Sequence, residues 1–132
     1  MCRPEARRHG KESVMDVVEF REFCLSLGDV SEKMPFGKFA ARYDSILVFY
    51  VSGHMFCLVD IDDFGFVDVK STPEEIERMK LAYASVGRPI NLSERHWIRL
   101  DFDGDIPDRA VYACVRRAFE LVKARYAPQA KR

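Results

Sequence analysis

The chain has 132 residues, 48% hydrophobic and 12% aromatic, with 21 basic and 21 acidic side chains. That is enough apolar material for one domain to bury a core without a metal or disulfide staple, and too much for disorder. The zero net charge divides into +2 over residues 1–13, −6 over 14–120 and +4 over 121–132, so a polyanion must be met by a local patch or by the tails, because the body repels phosphate.

Residues 1–13 are polar and aperiodic and read as a flexible basic arm; one α+β domain is expected over 14–127, with 128–132 as a basic tail. Asp16 and Glu19 stand at N-cap and N3 spacing, and Val17, Phe20, Cys24 and Leu27 recur at helical steps until Gly28, which predicts a first helix. Val30, Met34 and Phe36, with Pro35 among them, predict an edge strand or extended segment over 30–37. Residues 45–51 and 55–61, rich in β-branched and aromatic side chains, flank the turn Ser52-Gly53-His54 and predict a hairpin. A turn at 62–65 leads into a strand at 66–70, where Val67 and Val69 alternate with Asp68 and Lys70, the latter pair expected to face water.

Thr72, Pro73 and Glu75 make a capping-box start for a helix over about 73–85, carried by Ile76, Met79 and Tyr83 and ended by Gly87 and Pro89. Residues 97–102 alternate Ile98, Leu100 and Phe102 with Trp97, Arg99 and Asp101, another half-buried strand. Beyond the turn Asp103-Gly104-Asp105, Pro107 opens a last helix whose apolar residues are Val111, Cys114, Val115, Ala118, Leu121 and Val122, closed by Pro128. This order predicts an α+β fold: an antiparallel sheet with helices packed on one face and the other face at least partly open.

Cys2, Cys24, Cys57 and Cys114 are far apart, three of them within apolar patterns, as buried free thiols are. Asp60, Asp62, Asp63 and Gly65 resemble the start of a calcium loop, but Phe64 and Ser71 stand where oxygen ligands are required. Asp101, Asp103 and Asp105 read as a hairpin turn. Cys57 and Ser93 are candidate nucleophiles and His54 and His96 candidate bases, yet no nucleophile elbow, zinc-protease, phosphate-loop or dinucleotide motif accompanies them. Neither catalysis nor a cofactor is expected. No apolar run approaches the roughly 20 residues that cross a bilayer, and the N-terminus, with Arg3, Arg7, Arg8 and Lys11 but no apolar stretch, does not read as a secretory signal, so the expected location is the cytoplasm and no membrane partner is expected.

The stretches Phe23-Cys24-Leu25-Ser26-Leu27, Met34-Pro35-Phe36-Gly37, Gly53-His54-Met55-Phe56-Cys57-Leu58, Thr72-Pro73-Glu74, Arg95-His96-Trp97 and Asp103-Gly104-Asp105-Ile106-Pro107-Asp108, in this succession over about residues 16–126, resemble the MmcQ/YjbR family. The resemblance implies a frataxin-like (CyaY-like) α+β fold and the DNA-binding role by which that family is commonly labelled. Two stretches depart from the family pattern: Glu94 stands where a basic residue is usual, and Ala118-Phe119 replaces a Ser-Tyr pair.

Arg95, His96, Trp97 and Arg99 form the sharpest candidate cluster, because guanidinium groups bind phosphate bidentately and an indole stacks on an unpaired base. The competing reading makes Trp97 a packing residue and pairs the arginines with Glu94 or Asp101. Arg109, Arg116, Arg117, Lys123 and Arg125 give the last helix a basic side suited to a phosphate backbone, or merely answer the helix dipole. The expected function is binding of DNA or single-stranded nucleic acid through the sheet face and last helix. The alternatives are a protein-interaction domain anchored by Phe56, Phe66 or Trp97, and a small-ligand pocket beside His54 or His96.

Overall fold

The computed structural model describes residues 15–38, 44–89 and 92–127. The basic arm over 1–13 and the tail over 128–132 lie outside the described residues. Three helices, α1 (Val17–Ser26), α2 (Pro73–Ala82) and α3 (Asp108–Tyr126), accompany six strands: β1 (Val30–Lys33), β2 (Ile46–Val51), β3 (His54–Asp60), β4 (Phe66–Lys70), β5 (Val86–Gly87) and β6 (Trp97–Asp101). The strands form one antiparallel sheet in the order β1-β2-β3-β4-β6-β5.

The capping residues act as their spacing implies. The Asp16 carboxylate accepts from the Glu19 N–H at 2.8 Å and the Thr72 hydroxyl from the Glu75 N–H at 3.2 Å, each satisfying a donor the first helical turn leaves open. The β2–β3 turn takes only two residues, Ser52 and Gly53, both with positive φ (54° and 79°), the geometry of a primed hairpin turn, in which Asn-Gly is preferred. Serine is the strained member. Ser52→Asn is expected to stabilise the protein by about 0.5–1 kcal/mol, read as a higher urea midpoint at unchanged slope.

Two segments differ from expectation. Pro35 does not lie within the edge strand but opens a 3-10 turn, Pro35–Lys38, after β1, since proline has no N–H for a ladder. The second helix, expected to run to about residue 85, ends at Ala82, and the stretch after it adds the two-residue strand β5 beside β6.

One face of the sheet carries Phe49, Phe56, Cys57, Val67, Val69, Ile98 and Leu100 against Phe20 and Cys24 of α1, Ile76 and Met79 of α2, and Val111, Val115, Ala118 and Val122 of α3. Phe119, absent from the expected apolar stripe, is also buried and meets the Phe56 ring edge-on at 5.5 Å. The opposite face is not open as expected. Ile46, Val48 and Leu58 are buried there, with Phe36, Tyr50, Met55 and Leu92 packed on them, and Asp68, expected to face water, is fully buried. Cover from segments remote in sequence turns this face into a second, smaller core.

Candidate functional site

Trp97 is 5% exposed, with the Lys70 ammonium 5.3 Å over its ring and Lys70 opposite it in the β4–β6 register. The indole is a packing residue with no face for a base. Arg99 lies across the register from Asp68: its Nε donates to Asp68 Oδ1 at 2.9 Å and its Nη2 to Oδ2 at 3.3 Å, while its guanidinium rests 3.7 Å over the Phe66 ring. Its partner is therefore neither Glu94, which faces Arg88 at 3.4 Å, nor Asp101. Arg95 and His96 are exposed. Of the apolar anchors for a protein partner, Phe56 and Trp97 are buried and Phe66 is half-buried beneath Arg99.

Arg109, Arg116 and Lys123 recur every seven residues, two helical turns, and so fall along one stripe of α3. All three are exposed. The Arg116 guanidinium lies 5.5 Å over Phe23 and the Lys123 ammonium 5.6 Å over Phe119; Arg117 is tied to Glu75 at 2.8 Å. Since α3 packs on one face of the sheet and Arg99 occupies the other, the expected residues do not form one surface.

A different cluster forms where α3 ends. Antiparallel pairing brings the start of β3, the end of β4 and the start of β6 to one end of the sheet, so His54, Lys70 and His96 share it. The Ser71 N–H donates to the His96 carbonyl at 2.8 Å. The His54 ring stacks on Tyr126 at 3.5 Å and 12°, which fixes the end of α3, with Lys123 and Arg125, against the same edge. His54 and Tyr126 are exposed, Tyr126 by 42%. Burial holds the Lys70 ammonium below the usual lysine range, and the nearby Arg125 charge adds to the effect. Among the described residues no carboxylate stands at ion-pair distance from Lys70, Lys123 or Arg125. Lys70 and Tyr126 escaped sequence reasoning, because nothing local in the sequence links position 54 to position 126.

The remaining candidates are occupied structurally. Asp60 Oδ1 accepts from the Ser45 hydroxyl and from the N–H groups of Asp62 and Asp63. Asp105 clamps the Ala84 and Ser85 N–H groups at 2.9 and 3.0 Å, which holds its carboxyl below the usual carboxylate range. Burial pushes the Cys57 thiol well up, against nucleophilic use. Among the described residues no group of three or more His, Cys, Asp or Glu is placed to hold a metal, and no helix is long and apolar enough to cross a membrane. A groove of about 330 Å³ between β4, α2 and α3 is lined by Ser71, Cys114, Arg117 and Glu120 over Val69 and Ile98, and neither histidine contributes to it.

No curated protein matches the chain. Among solved structures, that of a Deinococcus radiodurans protein with the domain DUF419 is 28% identical, with a TM-score of 0.76 over 89% of this chain and 85% of that one. A Pseudomonas syringae protein, known from crystal and solution structures, shares the fold at 17% and 16% identity, each with a TM-score of 0.64, over 82% and 89% of this chain and 99% and 100% of those. The YjbR family model matches residues 25–121, from the end of α1 through most of α3. With that match spanning most of the fold just described, the chain belongs to the YjbR family.

Proposed function

We propose that this YjbR-family domain is a non-catalytic cytoplasmic binder of single-stranded nucleic acid, and that the strand lies across the sheet end where α3 terminates. The observation that carries the reading is the exposed His54–Tyr126 stack, flanked by Lys70, Lys123 and Arg125, none of which has a carboxylate partner among the described residues. Proteins that hold single strands combine aromatic platforms for the bases with cations for the phosphates. Arg95 and His96, exposed on the approach to β6, extend the cationic edge. Duplex DNA is a poorer fit, because the aromatic pair has no unpaired base to meet and Trp97 and Arg99 are committed to packing.

The test is fluorescence anisotropy of a labelled oligothymidylate with single variants. Tyr126→Ala is expected to weaken binding about tenfold or more, the scale of one lost base–aromatic stack. Arg109 lies about 24 Å from Arg125 along α3 at 1.5 Å per residue, so Arg109→Ala is expected to change affinity less than about twofold. An unchanged Tyr126→Ala affinity overturns the reading, and so does an equal loss in Arg109→Ala.

A further inference from the structure

Cys24 on α1 and Cys57 on β3 are both fully buried, and their sulfurs face each other at 3.8 Å. Both are free thiols. This is van der Waals contact between two sulfurs, whereas a disulfide needs them at about 2.0 Å, so side-chain rotation and a small approach of α1 suffice to join them. The third described cysteine is a built-in contrast. The Cys114 thiol instead lies 3.9 Å from the thioether of Met79, which cannot form a disulfide.

We propose that Cys24 and Cys57 are a dithiol modification site, which hydrogen peroxide converts to an intramolecular disulfide that staples α1 to the centre of the sheet. One sulfur, as thiolate, attacks a peroxide oxygen; the O–O bond breaks, and the departing hydroxide takes up the thiol proton as water. The second sulfur attacks the resulting sulfenic acid, the S–S bond forms, and the second water leaves. Two thiols and one peroxide thus give one disulfide and two waters, the sulfurs losing the two electrons that the peroxide gains.

The fold sets the rate of this step. Burial, with Cys24 beside it, pushes the Cys57 thiol well above its usual range, so the docked pair is protonated and shielded. Reaction therefore passes through opening of α1, a ten-residue helix that undocks at lower cost than the whole domain unfolds. Oxidation is expected to accelerate in urea concentrations below the unfolding transition. Once formed, the bond closes a loop between positions 33 apart in sequence and raises the thermal midpoint by about 5 °C or more.

The full chain is treated with hydrogen peroxide, quenched, unfolded in alkylating reagent and mapped by mass spectrometry. The expected product is a Cys24–Cys57 linked peptide pair, two hydrogens lighter than the reduced pair, with Cys114 alkylated and a raised thermal midpoint that dithiothreitol returns to the reduced value. Full alkylation of both cysteines overturns the proposal, and so does a predominant link through Cys2 or Cys114, or sulfinic acid at Cys24 or Cys57 without a link. Wild-type protein suffices, so no outcome depends on a cysteine variant folding.

Discussion

Phe20→Ala is expected to remove about 3–5 kcal/mol of stability, the range for deleting a fully buried aromatic ring, out of the 5–15 kcal/mol that holds a typical domain together. Phe20 is completely buried and meets four rings: Phe49 and Phe64 edge-on at 6.1 and 5.8 Å, Phe102 at 6.4 Å and Tyr112 at 6.2 Å. These belong to β2, the β3–β4 turn, the start of the β6–α3 turn and α3. One side chain of α1 therefore links the helix to four other parts of the fold. The outer contact of α1, the Arg21–Glu32 ion pair, is half in solvent and contributes little by comparison. Urea unfolding measures the loss directly. A decrease below about 1 kcal/mol would show that α1 is not held by this ring.

Arg99→Ala is expected to cost about 3 kcal/mol, because it strips two charge-assisted hydrogen bonds from a carboxylate with no access to water and bares the ring of Phe66. Arg99→Lys keeps the charge but not the fork, and is expected to lose about half as much. The folded fraction of Arg99→Ala should bind an oligonucleotide within about twofold of wild type. Stability loss without affinity loss identifies Arg99 as part of the second core. The reverse pattern would return it to the binding surface.

The helices were legible because their signals are local. Asp16 and Thr72 cap where their spacing to Glu19 and Glu75 says they should, and the recurrence of Val111, Val115, Ala118 and Val122 marks the buried side of α3. The longer strands were legible too, with the β2–β3 hairpin, although His54, expected in its turn, opens β3 and the short β5 was missed. The second face was not legible. Alternation along 66–70 identifies Asp68 as the odd face of its strand, but Phe36 and Leu92, which pack on that side of the sheet over Ile46, Val48 and Leu58, come from outside the strands, which a period-two pattern cannot register. The candidate site failed for the same reason. Trp97 and Arg99 have the chemistry of a binding strip, but the register gives them Lys70 and Asp68 as partners. The exposed aromatic pair is instead built from His54 and Tyr126, whose meeting depends on where α3 ends relative to the β2–β3 turn.

The most direct test of the central claim, that this basic sheet end holds a single strand, is the salt dependence of oligothymidylate affinity for the intact chain. Three phosphate contacts from Lys70, Lys123 and Arg125 predict a slope of about −2 in log affinity against log salt, or about a 20-fold loss between 50 and 200 mM. A flat response, or no saturable binding at 50 mM, would contradict it.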